Sequence, residues 1–194
     1  MKRVLIVVGS PGVGKTALSD LLASRLHGVN ISLSELVRNE GLSCGFDERR
    51  RTLIADMEKV SSRVGEIIQQ SEGWIVVDGH FAMDVVPVKD VFLAFVLRRD
   101  PDELQEVLSE RGFEEHKVAE NVAAEILDVC LFDAIRAYGE KKVCEVDISH
   151  KNEREVVEEV IRIINDQGQC RIGTVDWLMK LELAGRLEEF LDKL

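Results

Sequence analysis

No apolar run in the 194-residue sequence approaches the ~18–20 residues that span a bilayer. The basic-then-apolar start MKRVLIVVGS has too short an apolar part for a secretory leader and runs straight into a glycine loop. It reads as a first strand, and a cytoplasmic location is expected. Cysteine is sparse. Cys44, Cys130, Cys144 and Cys170 stand far apart, with no C-x-x-C pair to hold zinc. Separate reduced thiols are expected. Positive charge is short too: the formal net charge is −11, which opposes nonspecific binding to nucleic acid. Direct nucleic-acid binding is not expected, whereas an acidic chain can attract a basic protein. There are no internal repeats and no low-complexity tracts. With 45% hydrophobic and 31% charged residues the mixture is that of an ordinary soluble domain. The length allows one core with a small inserted lobe.

What is present is an alternation of strand and helix patterns. The runs at 4–8, 74–78 and 91–97 are apolar throughout, as buried parallel strands are. Shorter strands are expected near 28–32 and over 142–148. Between them lie helical spacings: Leu18, Leu21, Leu22 and Leu26; then Leu53, Met57, Val60, Val64 and Ile67; then 102–111 after Pro101. Val118, Val122, Ile126, Val129 and Phe132 mark one long helix. Asn152 and Glu155 form a capping box for a helix over 153–165. Ser32 or Ser34 can cap a short helix through Arg38. The stretch 41–50, GLSCGFDERR, reads as a loop, and 165–174 as a linker. Trp177, Leu178, Leu181, Leu187, Leu191 and Leu194 give a final amphipathic helix expected to pack on the core. The alternation implies an α/β fold with a five-stranded parallel sheet between two helical layers.

GSPGVGKT, residues 9–16, fits G-x-x-x-x-G-K-[ST] at every fixed position and sits between a strand and a helix. Gly9, Gly12 and Gly14, with Pro11 and Val13 between them, let backbone N–H groups converge on phosphate oxygens. The helix that begins near Lys15 and carries Thr16 and Ala17 points its positive end at the same place. Lys15 supplies charge to the β- and γ-phosphates of ATP, and Thr16 a hydroxyl to Mg²⁺. The overlapping GVGKTA (12–17) matches a dinucleotide fingerprint less well, because its first glycine lies four residues past the strand. Asp78 closes the 74–78 strand, where a Mg²⁺-supporting carboxylate belongs. No N-K-x-D run is present to read guanine. A small phosphate-loop protein with an insertion at about 32–72 resembles nucleoside monophosphate kinases, in which the insertion closes over the acceptor.

Three stretches together resemble the adenylate kinase isoenzyme 6 family. They are the phosphate loop, Asp78-Gly79-His80, and RGFEEHKVAENVAAEI at 111–126. The resemblance covers roughly residues 1–150. It implies a P-loop kinase core over 1–166, a monophosphate-binding insertion, a short lid at about 110–120 and a helical extension over 167–194. It also implies the reaction ATP + AMP ⇌ 2 ADP, ATPase activity, and a part in late maturation of the small ribosomal subunit and its rRNA, in contact with a platform ribosomal protein. By the same resemblance Arg38, with Ser34 beside it, would hold the acceptor monophosphate. Arg111 would reach the ATP phosphates from the lid, with Lys117 in support. Gly79 would allow close backbone approach to the cleft, and His80 would orient a water or the acceptor phosphate near ATP. Lys15, Asp78, His80 and Arg111 are thus the expected catalytic set. The chain departs from the family at Val107, where relatives often carry an adenine-stacking arginine. It also departs from ordinary adenylate kinases in having no arginine between Asp78 and Arg98. An assembly ATPase with incidental kinase activity and a small-metabolite kinase are the alternatives.

Overall fold

The computed structural model describes residues 3–48 and 52–191, so Arg49 and Arg50 of the expected loop and Leu194 of the expected final helix lie outside the described residues. In chain order, β1 (Arg3–Val8) leads through a loop into α1 (Lys15–Arg25), β2 (Val29–Ser32) and α2 (Leu33–Asn39). A hairpin of β3 (Ser43–Asp47) and β4 (Thr52–Ala55) and the long α3 (Met57–Gln70) precede β5 (Trp74–Asp78). The single turn α4 (Ala82–Val85) is followed by β6 (Val91–Arg98), α5 (Pro101–Glu110), α6 (Glu115–Ile126) and α7 (Val129–Tyr138). Then come β7 (Val143–Asp147), α8 (Glu153–Ile164) and the short α9 (Trp177–Leu183) and α10 (Leu187–Leu191).

The main sheet has the order β2-β5-β1-β6-β7, with all strands parallel. β1 lies at its centre, and Val4 to Val8 are all buried because parallel strands are covered on both faces. Successive side chains point to opposite faces, so the run divides between two cores. Leu5 and Val7 join Phe95, Leu97 and Val146 under α1, α5, α6 and α8. Val4, Ile6 and Val8 join Ile75, Val77 and Val96 under α3 and α7. The sheet is therefore the middle of three layers, the α/β arrangement expected from the alternation of patterns. Helix starts are set locally. Asp56 and Asp100 cap α3 and α5 with their carboxylates, and the Asn152–Glu155 capping box opens α8 as read from the sequence.

Four expectations are corrected. The stretch read as a loop contributes β3, which pairs antiparallel with β4. Leu53, read as the first residue of the long helix, lies in β4, and the helix starts at Met57 after its Asp56 cap. The helix read through residue 132 is two helices, because Asp128 takes a left-handed conformation (φ 57°) and its carboxylate receives Arg98 Nη2 at 2.5 Å. Beyond that break the buried side is Leu131, Ala134 and Tyr138, and Phe132 is 64% exposed. The final helix is likewise broken, at Gly185 (φ 66°), though Trp177, Leu181 and Phe190 pack into the core.

A further correction concerns the thiols: Cys144 and Cys170 form a disulfide, while Cys44 and Cys130 are free. β7 is an edge strand, and an edge presents unpaired backbone groups. The segment after α8 returns along it, with Glu145 N–H donating to the Arg171 carbonyl at 2.8 Å. That return brings Cys170 beside Cys144, a proximity that linear spacing does not reveal. Reductant, or Cys170→Ser, is expected to lower unfolding free energy by about 3 kcal/mol for a closed loop of this length. Urea melts with and without reductant measure it, and coincident midpoints would contradict it.

Candidate active site

The phosphate loop follows β1, and its shape depends on residues without side chains. Gly9, Gly12 and Gly14 all have positive φ, at 147°, 91° and 83°. A Cβ on Gly9 would stand 2.7 Å from the Leu97 carbonyl oxygen, and one on Gly12 would stand 2.9 Å from Leu104. These two glycines therefore let the loop press against β6 and α5. No side chain caps α1, so its first N–H groups face the loop without a side-chain acceptor. Lys15 Nζ donates to the carbonyls of Gly9 and Ser10, both at 2.9 Å. Arg99 Nη1 donates to the Gly12 carbonyl at 3.1 Å.

Two clefts open at this loop, and a third lies under the segment between β2 and β5. Gly12, Gly14, Lys15, Thr16, Asp20 and Arg111 line one of about 410 Å³, where Ala17 also reaches. A second, of about 360 Å³, adjoins it, with Gly14, Ala17 and Arg111 shared and Val13, Arg99 and Val107 added. The third and largest, about 770 Å³, is lined by Ser34, Arg38, His80 and Asp84 and by side chains of the hairpin. The expected residues thus assemble as two groups. Lys15, Thr16 and Arg111 share the phosphate cleft, and Ser34, Arg38 and His80 share the cleft under the insertion. Pro11 is exposed and lines neither. Gly79 is corrected: the space over it is filled by Leu33 of α2, whose Cβ would lie 3.0 Å from an added Cβ. It serves packing of α2 on the end of β5, and not an approach of backbone to ligand.

Charge in the site follows from burial. Asp78 is 4% exposed and its Oδ2 has no hydrogen-bond partner among the described residues. Burial raises its pKa to about 6, with Lys15 opposing and Asp20 reinforcing. Burial pushes Lys15 down, while Cys130, Asp78 and Glu125 draw it back up and Arg111 adds to the depression. Desolvation and then Lys15 lower the pKa of His80, so the ring is neutral at pH 7. The unpartnered buried oxygen of Asp78, coupled electrostatically to Lys15 at the start of α1, is a hard oxygen ligand that suits a divalent cation such as Mg²⁺.

Several residues at the site were not anticipated. Phe46, Leu53 and Ile54 form the apolar wall of the largest cleft and are themselves about half exposed. Their signal was an amphipathic spacing that fitted a helix as well as a strand. Ser10 is buried, and its hydroxyl donates to Glu125 Oε2 at 2.7 Å. Glu125 stood in the recognised 111–126 stretch without a role.

Strand, phosphate loop, helix and paired clefts define a P-loop nucleotide-binding protein of small-kinase architecture. Residues 5–128 match the family model described as an AAA domain. The protein named "Putative adenylate kinase" from Methanothermobacter thermautotrophicus is 38% identical over 179 residues, spanning 91% of this chain and 99% of its own. A protein of the same name from Saccharolobus islandicus is 36% identical over 191 residues, spanning 98% and 95%. The chain belongs to the family that these proteins form. Solved structures share the fold at low identity. The Deinococcus radiodurans tunicamycin resistance protein has a TM-score of 0.58 at 18% identity, covering 84% of this chain and 96% of its own. Shikimate kinase from Bacteroides thetaiotaomicron has 0.52 at 16%, with the same coverage.

The raised pKa of Asp78 makes its ionisation unfavourable for folding. Stability from this group is fully present below its unfolded pKa near 4 and is lost as pH rises through about 6. Without metal or nucleotide, Asp78→Asn should therefore match the wild type at pH 4. Above pH 6.5 it should be more stable, by on the order of 2–3 kcal/mol. Denaturation across that range in EDTA checks it, and equal stability at high pH would count against a desolvated carboxylate.

Proposed function

We propose that the protein transfers the γ-phosphoryl group of ATP to AMP, giving two ADP. The observation that carries this reading is a cleft at the phosphate loop together with a second cleft whose His80 feels the Lys15 charge. One holds Lys15, Thr16 and Arg111, and the other holds Ser34 and Arg38 beneath the insertion. The names of the relatives support it. Lys15 and Arg111 are both cationic and would meet charge that spreads over the transferred group. Arg38 would grip the acceptor phosphate with two parallel N–H groups. The acceptor oxygen attacks the γ-phosphorus as the bond to the β-phosphate oxygen breaks. A phosphate dianion has no proton to lose, so this step needs no general base. Mg²⁺, held at Thr16 and Asp78, would supply charge neutralisation and fix the angle of the phosphates. The apolar wall of Phe46, Leu53 and Ile54 suits a nucleobase. Val107 in the adjoining cleft would meet the ATP base with an aliphatic side chain that neither stacks nor hydrogen-bonds, which favours broad base selectivity.

The same site would hydrolyse ATP when water replaces the acceptor, with neutral His80 accepting from that water. Participation in small-subunit maturation rests on the family resemblance and on a net charge of −11, which suits a basic ribosomal protein.

ATP, Mg²⁺ and AMP should yield ADP, in a panel that also includes CMP, UMP and small hydroxyl acceptors. Lys15→Ala should cut the rate by about 10³-fold, and Arg38→Ala should raise the AMP KM by about 10–100-fold with the ATP KM held. Hydrolysis that ignores AMP, with no transfer, would overturn the kinase reading. In the assay without AMP, His80→Ala should lower turnover several-fold more than ATP affinity, and equal losses would mean a packing role. Pull-down from extract should recover a basic ribosomal protein in one nucleotide state, and recovery in none would remove the assembly reading.

A further inference from the structure

Glu125 is a charged residue on the buried side of α6, 2% exposed, and the chemistry above makes no use of it. Its Oε2 accepts from Ser10 Oγ at 2.7 Å. Its Oε1 receives Arg98 Nε at 2.7 Å, the Arg99 backbone N–H at 3.2 Å and the Trp177 indole N–H at 3.3 Å. Arg98, itself 1% exposed, also meets Glu145 and Asp128, so one guanidinium faces three carboxylates. Buried charge of one sign needs other partners. Glu145 finds them in the N–H and hydroxyl of Thr174, at 2.7 and 2.9 Å. Glu125 finds its own in Ser10. Lys15 completes the arrangement, because its ammonium holds the Ser10 carbonyl at 2.9 Å. Ser10 is therefore gripped at both ends, by a carboxylate beneath the loop and by the lysine that faces the cleft.

We infer that Glu125 is a positioning residue for the phosphate loop, acting through Ser10, and that the C-terminal segment sets its place through Trp177. The inference rests on the reading that this loop binds ATP phosphates, and it does not require AMP as the acceptor. Glu125 lines none of the three clefts and meets the site through Ser10 and the backbone N–H of Arg99, so it shapes the loop without meeting substrate. Residues 174–177 hold two of the three acids around Arg98, which links a tail remote in sequence to the loop at 9–16.

The test is calorimetric binding of ATP with Mg²⁺, and separately of AMP, to the full chain. The variants are Ser10→Ala, Glu125→Gln, the double variant and Trp177→Phe. A hydrogen bond to a buried carboxylate predicts that each of the first two weakens ATP binding by about 10-fold. The double variant should be no weaker than the worse single one, because both remove the same link. AMP affinity should be unchanged, and Trp177→Phe should weaken ATP binding by about 2–3-fold. Additive losses, parallel loss of AMP binding, or a lowered melting temperature with intact ATP affinity would each overturn the inference. If Glu125→Gln does not fold, Ser10→Ala and Trp177→Phe carry the test, and additivity between them overturns it. A wild type that binds ATP but phosphorylates no AMP overturns only the kinase reading; one that binds no ATP overturns both.

Discussion

The guanidinium of Arg98, at the end of β6, ties together parts of the chain that lie far apart in sequence. Through Glu125 it holds α6, through Asp128 the break before α7, and through Glu145 the edge strand β7. A buried ion cluster of this kind contributes little net stability relative to an apolar core. Removing one partner leaves unpaired charge, which is a severe penalty. Its effect is therefore on uniqueness: a shift of β6 against α6 or β7 would leave a buried charge unpaired. The phosphate loop inherits that register, since Ser10 hangs from the same carboxylate.

The site's location follows from the strand order. From β1 the chain moves to β2 and β5 on one side, then crosses to β6 and β7 on the other. In open parallel sheets such a crossing leaves a crevice at the carboxyl ends of the strands, where ligands bind. The loop after β1, Asp78 at the end of β5 and Arg98-Arg99 at the end of β6 all lie along that rim. The segment between β2 and β5 then adds the wall of the largest cleft, lined by Ser34, Arg38 and the hairpin.

Much of this was legible in the residues. The central strands announce themselves because burial on both faces demands unbroken apolar runs, and the phosphate loop because its glycines are fixed by sterics. Ser34, Arg38 and His80 were placed by resemblance, and they do line one cleft. What escaped has a common cause: the deciding contact is remote in sequence. Leu53 fits a helical stripe, yet pairing with Phe46 puts it in a strand. The stripe through Phe132 is continuous in spacing, yet Asp128 turns aside to reach Arg98, thirty positions away. Glu125 looks like a solvated helix residue until Arg98, Ser10 and Trp177 surround it. Cys144 and Cys170 become neighbours only once the tail has folded back along β7.

That covalent closure changes what kind of object the end of the chain is. A terminal stretch of short helices ordinarily frays, opening and closing independently of the core. Here residues 144–170 form a ring that contains the whole of α8, and the ring is anchored to the sheet at Glu145. α8 cannot lift from the sheet without straining β7, and the tail cannot leave without disturbing both. In the language of local unfolding, the ring couples the opening of α8 to that of β7. Residues 171–190 thus leave from a ring fixed to the sheet and return Trp177, Leu181 and Phe190 to the core, where sequence position alone would suggest a loose strap.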